Sequence, residues 1–167
     1  MRRIIVIVAV CAVALAALTT AAAARSSDRP FKGSLEGSVL FVPDERCTNN
    51  EWLLRTDSIA TGNVSHLGKT EMTGNHCTPA AADVEGGEMI LVAANGDEVH
   101  IDYSGFAPPP DPETGLITVD IEYVITGGNG RFAVASGGGD MTVKVVFEGF
   151  EDMEWPATWS WTGRIDY

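Results

Sequence analysis

Four polar side chains at period-two spacing are the residues best placed to do chemistry together. His100 and Asp102 share one face of a strand-like segment, and Asp120 and Glu122 share one face of another. If the two segments pair in register, the four residues form a general acid–base site or bind a divalent cation. We favour the alternative that these four side chains lie on the solvent-exposed outer face of the sheet. The apolar residues that alternate with them, such as Ile101, would then point into the core.

Other candidate site residues stand alone or in pairs. His66, in the stretch SHLGK, either holds a turn by bonding to the backbone or lines the mouth of a barrel. Trp159 and Trp161 share one face and form either a platform for sugars or apolar ligands or, as we favour, part of the core. His76 precedes Cys77 and is interpreted as a loop residue. No G-x-S-x-G, H-E-x-x-H or P-loop motif is present, so a serine hydrolase or zinc peptidase is unsupported.

The stretch Gly128-Asn129-Gly130-Arg131-Phe132-Ala133 matches the dinucleotide pattern G-x-G-x-x-G/A directly after a strand-like run. That pattern binds a pyrophosphate only inside a parallel βαβ unit, where the glycines open a helix. Here the preceding run is polar on one face, and Gly137-Gly138-Gly139 follows too soon for a crossover helix. We therefore predict that these glycines serve a tight turn and close strand approach, and that the protein binds no dinucleotide.

The first 24 residues have the pattern of a secretory signal peptide. A basic start, Arg2-Arg3, precedes an apolar run over 4–18 that is short for a membrane span, and an A-x-A site ends at Ala24. Its removal leaves residues 25–167 as one domain with 9 basic and 23 acidic side chains, a net charge of −14. This charge argues against nucleic acid and anionic membrane surfaces as partners. The signal-peptide pattern predicts a secreted or periplasmic protein.

Cysteine usage agrees with export. Cys11 leaves with the signal peptide, so Cys47 and Cys77 are the only thiols of the mature chain. Two cysteines in an oxidising compartment have one intramolecular pairing, and we predict a structural disulfide. A redox-active pair or a metal site is the rival interpretation, but neither C-x-x-C spacing nor a clustered His/Cys set supports it.

Nearly every segment after the signal peptide has the pattern of a strand. Apolar and polar residues alternate with period two over 99–104, 117–125 and 141–148, as in an antiparallel sheet with one buried face. Asn95-Gly96 between two such runs is a strong hairpin signal. Regular short strands of this kind form a sandwich or a barrel. We predict an all-β fold, a single antiparallel barrel of about eight strands near 33–42, 51–60, 62–72, 87–94, 98–106, 116–126, 131–147 (a bent strand) and 157–167, with the last strand closing onto the first.

The turn Gly127-Gly128-Asn129-Gly130-Arg131-Phe132, with Ala135 and Gly137 after it, resembles the G-G-x-G-x-F-x-x-A-x-G turn of the allene oxide cyclase and dirigent barrel families and of small secreted bacterial proteins on the same barrel. The resemblance implies an eight-stranded barrel, a ligand cavity, no cofactor and a homo-oligomer, a trimer in plant members. The catalytic residues of those families have no matching positions here.

Three hypotheses for function follow. The first is an exported, non-catalytic barrel that holds a small apolar ligand. The second, implied by the resemblance, is a cofactor-free isomerase or cyclase, for which His66 and Glu122 are the candidate inward polar groups. The third is an acidic, calcium-stabilised extracellular module. His100, Asp102, Asp120, Trp159 and Trp161 are the candidate ligand-binding residues.

Overall fold

The structure, a computed structural model, describes residues 28–48, 53–78, 83–149 and 151–167. The predicted signal peptide over 1–24 lies outside these residues. Eight strands follow one another along the chain: β1 Arg29–Pro43, β2 Leu54–Val64, β3 Gly68–Cys77, β4 Asp83–Ala93, β5 Glu98–Phe106, β6 Leu116–Gly128, β7 Ser136–Val146 and β8 Glu154–Asp166. A single 3-10 turn, Gly130–Phe132, lies between β6 and β7.

The strands form a closed antiparallel barrel in sequence order. Each strand pairs with the next, and β8 pairs with β1, so that Gly33 of β1 has Val64 of β2 on one side and Trp161 of β8 on the other. The predicted antiparallel barrel and its closure by the last strand are therefore confirmed. Closure leaves no unpaired sheet edge. Among the described residues, no helix is long and apolar enough to cross a membrane.

Local sequence explains most of the turns. Asn95 and Gly96 form the β4–β5 hairpin, where Gly96 has a φ of 87°. The segment 60–74, whose orientation the sequence leaves open, divides at a short turn over 65–67 between β2 and β3. The predicted bent strand over 131–147 begins instead with the 3-10 turn, and β7 starts only at Ser136.

The two ends of the barrel differ in how they are filled. We call the end with the β2–β3, β4–β5 and β6–β7 turns the closed end. The other end, where the described loop residues are 44–48, 53, 78, 107–115, 147–149 and 151–153, is the open end. Phe31, Leu67, Phe132 and Ile165 are buried at the closed end. Phe132 comes from the turn that matches the dinucleotide pattern, and a Cβ at Gly128 would overlap the carbonyl oxygen of Glu98. These glycines therefore permit a close turn, as predicted.

A layer of large rings separates the closed end from the rest of the interior. Tyr123 and Trp161 are both buried. A Cβ at Gly163 would overlap the Tyr123 hydroxyl, and a Cβ at Gly33 would lie 2.6 Å from the Trp161 ring. Glycines on β8 and β1 therefore make room for these rings. Burial raises the pKa of the Tyr123 hydroxyl to about 12, with a further contribution from the charge of Asp140.

Candidate functional site

The open half of the barrel contains a cavity of about 640 Å³. This volume lies within the range of small-molecule sites, roughly 300–1,000 Å³. Its walls are mostly apolar side chains, and those of five strands are Val39, Phe41, Val84, Met89, Ile117, Val119, Ile121, Met141, Val143, Val145, Trp155 and Trp159. Because interior positions recur at every second residue, these side chains follow directly from the apolar alternation of the strands.

Polar groups in the cavity lie on one side of it. Thr56 and Ser58 come from β2, His76 from β3, Thr78 from the residue after β3, and Tyr103 from β5. Thr56 pairs in register with His76, and the hydroxyls of Thr56 and Thr78 are 2.9 Å apart. We call these five residues the polar wall. An apolar cavity with a few convergent polar groups is the usual form of a ligand site.

A histidine–tyrosine pair lies at the centre of the polar wall. His76 Nδ1 and the Tyr103 hydroxyl are 2.9 Å apart, and their rings meet edge to face at 5.8 Å between centroids. Tyr103 reaches His76 across β4 because its register partner there is Gly87. A Cβ at Gly87 would overlap the Tyr103 ring. The absence of a side chain at this position is therefore what allows the pair to form.

Burial controls the charge of this pair. It lowers the pKa of His76 to about 4, against a smaller opposing effect from the charge of Asp57. It also raises the pKa of the Tyr103 hydroxyl, and Asp57 raises it further. Both groups are consequently neutral near pH 7. The pair presents hydrogen-bonding atoms to the cavity and no formal charge.

The stability of the protein should depend on this histidine between pH 7 and pH 4.5. Because the pKa of His76 is lower in the folded protein than its ordinary 6.5, the unfolded chain binds the extra proton first and stability falls as pH drops through this window. We expect wild type to lose about 2 kcal/mol more than His76→Gln, which keeps a hydrogen-bonding group but cannot titrate. Urea unfolding at several pH values measures the difference.

His100→Gln is the matched control, since the His100 side chain is partly exposed on the outer face and bonds Glu98 at 3.0 Å. Its pH dependence should follow that of wild type. Parallel curves for wild type and His76→Gln would contradict the burial of a neutral His76.

Two loops contribute described residues to the mouth of the cavity. Ala107 and Pro108, at the start of the proline-rich loop 107–115, line it on one side, and Asp152 and Met153 of loop 147–153 line it on another. Trp155 fixes the second loop because its indole N–H donates to the carbonyl oxygens of Gly149 and Asp152 at 3.0 and 2.8 Å. The rim is thus held in place by hydrogen bonds from the barrel wall.

The four polar residues with period-two spacing lie on the outer face, which is the interpretation favoured from the sequence. Asp102 and Glu122 are exposed on neighbouring strands but are not paired in register, since Asp102 faces Val124 and Glu122 faces Ser104. Asp120 faces Phe106 across the same ladder. No group of three His, Cys, Asp or Glu side chains in the described parts of the chain is placed to hold a metal ion.

The remaining candidates are distributed between the two halves of the barrel. Trp159 lines the cavity, whereas Trp161 is buried in the layer beneath it. His66 lies in the β2–β3 turn at the closed end, where its Nε2 is 3.0 Å from the Pro30 carbonyl oxygen and its ring contacts Tyr167. Neither His66 nor Glu122 is among the residues that line the cavity.

His66 should matter for stability and not for ligand binding. The residue has a φ of 69°, a conformation that asparagine tolerates well, but an asparagine side chain is too short to reproduce the bond to Pro30. We expect His66→Asn to lower the free energy of unfolding by about 1 kcal/mol while the affinity of the cavity for an apolar probe stays the same. Denaturant unfolding and probe titration on the same preparation test both parts, and a loss of binding without a loss of stability would contradict the placement.

The polar wall was not predicted from the sequence. The interpretation of His76 as a loop residue is wrong, because β3 continues to Cys77. Extending the alternation of Thr70 and Met72 by two steps would have placed His76 on the inner face. Cys47 and Cys77 are disulfide-bonded, as predicted, with their Cα atoms 5.2 Å apart.

Comparison with known proteins gives no relative from which a function could be transferred: no family model, curated protein or solved structure matches the chain.

Proposed function

We propose that the protein is an exported binding protein that holds a small, largely apolar molecule inside the open half of its barrel. The observation that carries this proposal is the cavity of about 640 Å³, whose described lining is apolar except for the polar wall and Asp152 at the mouth. A barrel that needed only to be stable would gain by filling this space, since apolar surface left unpacked loses both burial and contact energy.

Export is proposed from two observations. The first 24 residues have the composition of a signal peptide, and Cys47 and Cys77 are joined. Structural disulfides persist in oxidising compartments and are rare in the cytosol. Binding is favoured over catalysis because most of the described residues that line the cavity are apolar and can contact a ligand without reacting with it.

The test is binding of a neutral apolar fluorophore, N-phenyl-1-naphthylamine, together with native mass spectrometry of the untagged, exported protein. We expect a saturable rise in fluorescence with one probe per chain. We also expect native mass spectrometry to find bound mass that is lost on denaturation. The absence of saturable probe binding would overturn the proposal. The same spectra count subunits and fix the cleavage site, which tests the trimer that the family resemblance implies.

A second candidate function is a cofactor-free isomerase or cyclase acting on a labile apolar substrate. It is favoured by one observation, the hydrogen-bonded His76–Tyr103 pair facing an apolar cavity. A neutral imidazole in hydrogen-bond contact with a phenol can donate or accept a proton. This candidate requires that the protein accelerate conversion of a strained apolar epoxide and that His76→Gln remove the acceleration. An unchanged rate in the presence of wild type would exclude that reaction.

A further inference from the structure

The described residues that line the cavity carry no positively charged side chain, since no Lys or Arg is among them. An anionic headgroup entering this space would lose its hydration without a cationic partner, which is strongly unfavourable.

The two basic side chains nearest the open end are already paired. Arg46 contacts Asp44 at 2.6 Å, and Arg55 contacts both Asp44 and Asp57, at 2.9 and 2.6 Å. Neither arginine lines the cavity. Breaking these pairs to bind a ligand carboxylate would exchange one ion pair for another and gain little.

The open end itself is acidic. The described residues of its loops, 44–48, 53, 78, 107–115, 147–149 and 151–153, contain seven Asp or Glu residues and a single basic residue, Arg46. One of these acids, Asp152, borders the cavity directly. The mouth therefore repels anions before they reach the interior.

The polar wall offers neutral hydrogen bonds in place of charge. Tyr103 is protonated, and the neutral imidazole of His76 has one donor and one acceptor nitrogen. If the phenol donates to Nδ1, the ring proton is on Nε2, and His76 presents an N–H to the cavity. Thr56 and Ser58 add hydroxyls on the neighbouring strand. An uncharged oxygen, from an alcohol or a carbonyl, can accept from this set.

We propose that the cavity selects an uncharged ligand: an apolar body with a hydroxyl or carbonyl oxygen that bonds the polar wall. Carboxylate amphiphiles, including fatty-acid anions, are excluded. This inference rests on the proposed function and specifies the class of ligand. It follows from the placement of donors on one wall and from the absence of an unpaired Lys or Arg among the described residues that line the cavity.

The experiment is displacement of N-phenyl-1-naphthylamine by three ligands with the same chain: 1-decanol, decanoate and decylammonium, at pH 7.5 and below their aggregation concentrations. We expect decanol to displace the probe at a concentration at least ~10-fold lower than decanoate. His76→Phe should weaken decanol binding about 3–10-fold relative to that of the probe, and Ser58→Ala provides a milder second variant. Ser104→Ala, on the exposed outer face, is the control.

Each outcome has a separate meaning. Decanoate binding as tightly as decanol would overturn the selection of an uncharged ligand, while continued probe binding would leave the proposed function intact. Tighter binding of decylammonium than of decanol would also overturn the selection of an uncharged ligand. It would indicate that the acidic residues at the mouth bind a cationic headgroup. Unchanged decanol affinity in both His76→Phe and Ser58→Ala would remove the polar wall from recognition. Failure of the probe to bind wild type would refute the proposed function itself.

Discussion

Replacing Val143 by tryptophan is expected to weaken binding of the neutral apolar probe at least ~10-fold, equivalent to about 1.4 kcal/mol. Val143 faces the cavity from β7, with Val119 and Trp159 as its register neighbours. A second indole at this position would extend from the apolar wall into the space that the ligand occupies. Probe titration measures the loss directly.

The same substitution should cost little stability, and this separates an open cavity from a packed core. Adding a large side chain to a filled interior typically costs 1–3 kcal/mol or more. We expect Val99→Trp, at a fully buried position in the filled half, to be severely destabilising, and Val143→Trp to be much less so.

The matched surface control is Val146→Trp, on the same strand but partly exposed on the outer face. Its probe affinity should equal that of wild type. Undiminished binding in Val143→Trp would show that the probe occupies another site. Equal destabilisation by Val143→Trp and Val99→Trp would show that the open half is not a preformed cavity.

The fold could be predicted from the sequence because its signals are local. Alternation over 117–125 determines which face of β6 is buried, and Asn95-Gly96 determines the β4–β5 hairpin. The end of the chain is a regular strand, and its pairing with β1 follows from the need to satisfy both sheet edges. The ends of the strands were less predictable. The turn between β2 and β3 contains His66, which has a positive φ, and no local sequence pattern predicts that conformation.

The candidate site was less predictable because its parts are brought together by closure of the barrel. His76 and Tyr103 are 27 residues apart and lie on strands that are not neighbours. Their contact depends on Gly87 in the strand between them, and nothing in the local sequence distinguishes this glycine from those of the turns. Because His76 precedes Cys77, it was interpreted as a loop residue next to the disulfide. Alternation predicts which residues face inward, but it does not predict which half of the interior stays open.

Removal of the Cys47–Cys77 disulfide is expected to lower the free energy of unfolding by about 3–4 kcal/mol. The bond closes a loop with a sequence separation of 30, and the chain-entropy model gives this cost for a loop of that length. The bond joins the β1–β2 loop to the end of β3, next to His76. Its loss should therefore loosen the open end more than the closed end. Urea unfolding of oxidised wild type and of the double variant Cys47→Ala/Cys77→Ala measures the change in stability.

Reduced wild type is the control for the loss of the sulfur atoms themselves, because Cys47 is buried and its replacement also removes packing. If the disulfide acts by restricting the unfolded chain, reduced wild type should lose most of the stability that the double variant loses. Hydrogen exchange should then show faster opening of residues 54–58 and 74–77 than of the closed end. A loss below 1 kcal/mol in both proteins would mean that strand pairing alone holds the β1–β2 loop against β3. In that case the hydrogen bonds between strands, and not the disulfide, would hold the polar wall in position.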